Sequence, residues 1–197
     1  MYKFYFIFLF LITTIFSANA QYKMEISANY NIPISTDFSN NFQNGWGGRG
    51  EIHYFFKETG FSASVLFGLD GFRANKKVED ALIDTTLIFD YEYEVHSFNF
   101  PLFAKANYTF FHEQKFNIIV GVGIGGLFME YKAKQIGKYT SDTEINYFNE
   151  FGIYPSLGIS YKLSDDVSFT ISSGLNMSFG DRSIQYLDIK SGLIYSI

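Results

Sequence analysis

The chain has 197 residues, enough for one domain of ordinary size, with a formal charge of −5 and no cysteine. That excludes disulfides, thiolate metal sites and cysteine nucleophiles, and it denies nucleic acid the basic surface it needs. Aromatic residues make up 20% of the sequence while mean hydropathy is only +0.02, so apolar and polar residues are finely interleaved, as in strands with one face of each kind.

Residues 1–20 have the three parts of a secretory signal peptide: Lys3, an apolar run over 4–12, and Ala18-Asn19-Ala20 before Gln21. No cysteine follows the cleavage site, so a lipoprotein is excluded. The alternative, an N-terminal membrane anchor, fits the short apolar core and the A-x-A site less well. The expected organisation is a signal peptide over 1–20 and one barrel domain over 21–197.

From residue 22 onward apolarity alternates with period two, the mark of two-faced strands. Strands are expected near 22–32, 45–57, 60–74, 86–109, 114–132, 144–163, 166–180 and 183–197. In the first, Tyr22, Met24, Ile26, Ala28 and Tyr30 oppose Lys23, Glu25, Ser27 and Asn29. In the fourth, Phe89, Tyr91, Tyr93 and Val95 share one parity and Phe98, Phe100 and Leu102 the other, which predicts a β-bulge at His96-Ser97. In the sixth, Pro155 falls on the apolar parity, where a ladder lacks its donor; a bulge or a local break in pairing is expected there. In the seventh, Val167, Phe169, Ile171, Leu175, Met177 and Phe179 oppose small polar residues.

Connections after strands two, four and six are short, whereas those over 33–44, 74–84 and 133–143 are longer; only 180–182 departs from this pattern. Short periplasmic turns and longer outer loops are the asymmetry of outer-membrane barrels, and an even strand count puts both termini on the periplasmic side. The expected fold is an all-β, eight-stranded antiparallel up-and-down transmembrane barrel. Two aromatic girdles are predicted, Tyr22, Phe56, Phe61, Tyr108, Phe116, Tyr161 and Tyr195 at the short-turn rim and Trp46, Phe72, Tyr91, Tyr93, Phe128, Tyr147 and Phe179 at the other.

Three stretches carry a family resemblance. Residues 98–106, FNFPLFAKA, are followed by the glycine-rich 121–126 and by Phe151-Gly152 with Gly158-Ile159. Together they resemble the outer-membrane β-barrel domain of Bacteroidetes often called PorT-like, over essentially all of 21–197. The resemblance implies a barrel without shared catalytic residues, in a group whose better-understood members assist secretion or gliding machinery. Ile197 departs from the terminal Phe typical of such barrels.

The parity assigned to the lumen carries Lys23, Glu25, Arg49, Glu51, His53, Asp70, Lys105, Glu150, Asp188 and Lys190. An eight-stranded lumen is only wide enough for side chains, so these charges are expected to pair as a packed plug; the competing reading is a narrow proton or ion path. Glu51 and His53 share a face at metal-ligand spacing, but two ligands are too few, and no metal, cofactor or catalytic residue is expected. His96-Ser97 beside Asp90, Glu92 and Glu94 invites comparison with lipid hydrolases, yet adjacent strand residues point to opposite faces. That acidic cluster is expected at the outer end of the lumen or on a rim.

The expected protein is therefore a non-enzymatic outer-membrane scaffold or surface-binding barrel. Its partners would be outer-membrane lipid and a surface or periplasmic protein reached through the loops, with no nucleic acid and a monomeric state. In the 33–44 loop, Phe38 and Phe42 are the candidate contact residues. The alternatives are a small channel, a lipid-modifying enzyme, and a soluble lipocalin-like barrel with its faces reversed.

Overall fold

The structure is a computed structural model and describes residues 21–56, 59–75, 91–137, 141–180 and 184–197. The expected signal peptide, Phe89 and Asp90 lie outside these residues. Eight antiparallel strands close into one barrel: β1 (Gln21–Pro33), β2 (Gly45–Phe55), β3 (Phe61–Arg73), β4 (Tyr91–Phe110), β5 (Phe116–Gly137), β6 (Ser141–Lys162), β7 (Val167–Phe179) and β8 (Gln185–Ser196). Each strand pairs with its sequence neighbours, and β8 closes on β1 from Lys23↔Ser196 to Pro33↔Tyr186. Closure gives every barrel strand two partners, which a bilayer core requires because it offers backbone amides no water.

Alternation along each strand sorts the two faces. Met24, Ile26, Ile52, Val65, Phe67, Leu102, Ile124, Leu157, Ile171 and Leu193 are exposed on the outside. Between them on the inner parity lie buried Glu25, Asn29, Arg49, Asn99, Thr170 and Asp188. The outside is apolar and the inside polar, the reverse of a lipocalin, so the soluble alternative is overturned. Burying the polar set in protein and leaving the apolar set outside is favourable only where the surroundings are hydrocarbon.

At the short-turn rim Phe56, Phe61, Phe116, Tyr161 and Tyr195 are exposed, and Phe61 meets Tyr108 at 4.7 Å between ring centroids. At the other rim Trp46, Phe128, Tyr147 and Phe179 are exposed, but Phe72 is buried inside the barrel, which corrects its expected place in the girdle.

The two prolines in strand interiors, Pro101 and Pro155, interrupt pairing on one side without shifting register. The β6–β7 ladder runs to Ile153↔Met177 and resumes at Ser156↔Gly174, passing over Pro155. Pro101 does the same on β4, where pairing with β3 stops at Phe67↔Leu102 and resumes at Asp70↔Asn99. A missing N–H costs one ladder bond on one side, while the other neighbour still pairs through Val122↔Pro155 and Pro101↔Leu127.

The expected bulge at His96-Ser97 is absent. Pairing of β4 with β5 is uninterrupted from Tyr91↔Gly137 to Phe110↔Ile118, and Val95 is buried on the same inward parity as Ser97 and Asn99. The interior itself turns apolar near the outer rim, so the polarity pattern switches while the backbone does not. His96 and Ser97 therefore face opposite sides, and Ser97 donates to Asn99 Oδ1 at 3.1 Å inside the barrel. No hydrolase pair forms there.

Two long connections also differ from expectation. Most of 133–143 is strand, because β5 runs to Gly137 and β6 starts at Ser141. The 33–44 connection holds a short helix, α1 (Thr36–Asn41). Phe38 and Phe42 are spaced to share one helical face, and they are buried, 4.9 Å apart between ring centroids, which corrects their expected role as surface contacts. Asn75 holds the helix end by donating from Nδ2 to the carbonyls of Ser39 and Asn40, 2.9 Å each.

A closed barrel of this kind resists detergent at room temperature. In gel electrophoresis the unboiled protein is expected to migrate as a compact form, and boiling should shift it to the position of the unfolded chain; identical mobility would contradict closure.

Candidate functional site: a layered lumen

The lumen is filled in layers stacked along the barrel axis. Nearest the short turns is a vestibule of about 380 Å³ lined by residues that include Lys23, Phe55, Asn117, Ser160, Lys162 and Ile194. Lys23 is half-buried there, with its Nζ 4.9 Å from the Phe55 ring centre.

Above it sits a first charged layer. Lys105 Nζ donates to both carboxylate oxygens of Glu51, at 2.9 and 3.0 Å, and Ser64 Oγ donates to the same carboxylate at 2.6 Å. Asn107 in turn donates to Ser64 at 2.8 Å. Lys190 Nζ lies 3.7 Å from Glu25 Oε1 and 3.6 Å from Glu51 Oε2. His53 stands between the two glutamates, its Nε2 3.7 Å from Glu25 and its Nδ1 3.7 Å from Glu51. Register explains the gathering: Glu25 pairs with Glu51 across β1 and β2, and Lys23 pairs with His53.

The rings of Phe103 and Tyr154 stack at 5.4 Å over this layer. Tyr154 Oη then donates to both oxygens of Asp188 at 2.9 Å. In the second charged layer Arg49 Nη2 bonds Asp70 at 2.6 Å and lies 3.2 Å from Asp188. Tyr186 Oη at 2.7 Å and Asn29 at 2.8 Å also donate to Asp70, while Asn176 donates to Asp188 at 3.2 Å. Arg49, Asp70 and Asp188 have at most 3% of their surface exposed. Several inward glycines make room for this packing: a Cβ on Gly174 would collide with the Tyr154 hydroxyl, and one on Gly47 with Asp70.

An apolar cap closes the outer end. Phe38 from α1 and Phe42 at its C-terminal cap pack with Phe72, Met129, Ile184 and Tyr186, with Tyr131 and Phe148 against the edge of this cluster. Phe38 and Phe72 meet edge to face at 5.0 Å. Glu150 sits part-buried at this rim, hydrogen-bonded to Ser178, and exposed Glu94 faces outward above the apolar belt.

All ten residues assigned to the lumen thus fall on the inward face, eight of them buried in the two charged layers, Lys23 at the vestibule and Glu150 at the outer rim. Sequence reading misses Tyr154 and Tyr186, which are legible only as aromatics on the polar parity. It also misses the tight grouping of Glu25 with Glu51 and His53, whose ligand atoms lie within 4.8 Å of one another.

The closed fold and the polarity of its faces define a transmembrane β-barrel of the outer-membrane class. A major outer membrane protein from Thermus thermophilus is similar in structure, with a TM-score of 0.61 at 10% identity over 89% of this chain and 99% of that one. OprG of Pseudomonas aeruginosa gives 0.58 at 8% identity, covering 90% and 96%. Ail, the attachment invasion locus protein of Yersinia pestis solved with the heparin analogue sucrose octasulfate, gives 0.53 at 10% identity, covering 90% and 97%. No family model and no curated protein sequence matches the chain.

Removing one member of a buried charged group leaves the others unpaired. Arg49→Ala is expected to destabilise the folded barrel by about 3–5 kcal/mol, read as a lowered urea midpoint in detergent or bilayers. Gly174→Val, which forces the Tyr154 ring off Asp188, should destabilise it by about 1–3 kcal/mol on the same readout; unchanged midpoints would refute the packed network.

Proposed function

We propose that this protein is a non-enzymatic, monomeric resident of the outer membrane, exported by its N-terminal segment, with a sealed lumen and a partner-binding platform at the cell surface. The observation that carries this reading is the step in strand length. β1, β2, β3, β7 and β8 have 11–13 residues, close to the roughly 9–11 a tilted strand needs to span, whereas β4, β5 and β6 have 20–22. The excess lies at the long-loop end and projects as a three-stranded sheet by roughly 23–36 Å along the strands.

Among the described residues, 141–150 of β6 form ladder pairs with β5 alone, because pairing with β7 begins at Phe151↔Phe179, and this leaves an open edge along β6. Ile145 and Tyr147 are exposed on it, Tyr147 at 70%. Unpaired strand edges with exposed aromatic and aliphatic side chains are suited to capture an extended segment of another protein by strand addition. Ail, similar in fold, is named for attachment, which agrees with a surface-binding role. The 98–106 motif supports a place in the PorT-like group of barrels.

The packed lumen supports a structural role and argues against conduction. Two ion-paired layers and an aromatic cap lie in series along the axis. In planar bilayers the purified protein is expected to give no current above the lipid baseline; reproducible channel steps would overturn the sealed lumen. A photo-reactive side chain at position 147 in living cells should yield a discrete heavier adduct, while the same group at the lipid-facing position 193 should not. A folded, surface-exposed barrel that yields no adduct from position 147 would refute partner binding by the projecting sheet.

A further inference from the structure

We infer that the first charged layer is a binding site for a divalent transition-metal cation of the zinc type, held by Glu25, His53 and Glu51 and reached from the periplasmic vestibule. Glu25, Glu51 and His53 each have no more than 5% of their surface exposed, and one potential ligand atom from each lies within 4.8 Å of the others. Both ring nitrogens of His53 are buried without a hydrogen-bond partner, as is Glu25 Oε1. A buried imidazole ordinarily satisfies at least one nitrogen; here each nitrogen stands 3.7 Å from a carboxylate oxygen, one of Glu25 and one of Glu51.

The two carboxylates are not equally engaged: Glu51 accepts from Lys105 and Ser64, whereas Glu25 stands 3.7 Å from both the Lys190 ammonium and the His53 ring, and its Oε1 has no hydrogen-bond partner among the described residues. One imidazole with two carboxylates is a nitrogen–oxygen set that suits zinc better than magnesium or calcium, which take oxygen alone. Ligands of a tetrahedral zinc lie about 3.4 Å apart, so the three side chains need to draw together by roughly 1 Å. Access comes from below: the vestibule is lined by Phe55, whose ring centre is 5.8 Å from that of His53, and by Ile194, the cross-strand partner of Glu25.

Lys190 is the competitor. Its ammonium lies beyond hydrogen-bond distance of both glutamates, 3.7 and 3.6 Å away, and it occupies the electrostatic position that a metal would take over. This gives the site a signature that a passive ion-pair layer lacks: removing a neighbouring positive charge should strengthen metal binding.

The test is zinc titration of the folded, heat-modifiable protein in detergent, in competition with a chromogenic chelator. The wild type is expected to take up one zinc per chain. His53→Gln and Glu25→Gln should each weaken binding by about tenfold or more, Lys190→Met should tighten it, and His112→Gln at the turn should leave it unchanged. Absence of stoichiometric uptake, uptake insensitive to His53→Gln, or loss on His112→Gln instead would each overturn the site. Should the lumen variants fail to fold, the cobalt-loaded wild type decides: a shell containing one imidazole is expected, and a shell of oxygen ligands alone overturns the assignment.

Discussion

Everything in this barrel depends on the Arg49 guanidinium held between Asp70 and Asp188 with almost no access to water. Taking three charges out of solvent costs several kcal/mol each, and the cost is offset only when each is met by opposite charge and by hydrogen bonds. Tyr186, Asn29, Tyr154 and Asn176 provide those bonds to the two aspartates from β8, β1, β6 and β7, while Arg49 and Asp70 stand on β2 and β3. Six of the eight strands are thereby tied to one centre. A slip of one residue on any of them would turn its polar partner toward lipid and leave a charge unmet.

The same constraint explains the distribution of residue types. A lumen only wide enough for side chains must be packed between its rims, so small residues such as Gly47 and Gly174 alternate with large ones such as Tyr154. The outer surface has the opposite requirement and presents branched and aromatic side chains to hydrocarbon. Near-zero mean hydropathy with abundant Phe and Tyr is the sum of these two demands. Once β4, β5 and β6 rise above the belt, the demand for an apolar exterior lapses, and Glu94 appears on the outward face.

Strand number and facing are legible in the sequence because period two is local. The seventh strand, expected over 166–180, runs Val167–Phe179. Expectation fails where polarity and geometry part company. Val95 reads as outward because it is apolar, yet it is fully buried on the inward parity near the outer rim. Phe38 and Phe42 sit in a run of Ser, Thr and Asn that resembles an exposed loop, although their four-residue spacing is the available sign of a helical face. The Glu25–Glu51–His53 grouping is out of reach for another reason. It depends on the β1–β2 register, which brings Glu25 beside Glu51, and that pairing is a non-local fact. Closure of β8 on β1, which carries Lys190 toward Glu25, is more distant still.

The central claim is that the apolar parity faces lipid and the charged parity faces a packed interior. The absence of native cysteine makes the test direct, since single cysteines along β7 and β8 can carry a spin label without background. In bilayers, labels at 169, 171, 175, 187, 189 and 193 should be relaxed by dissolved oxygen, with little effect from a water-soluble nickel complex, and labels at 170, 176, 188 and 190 should respond weakly to both. Strong nickel relaxation at the first set would contradict a membrane barrel and place that face in water.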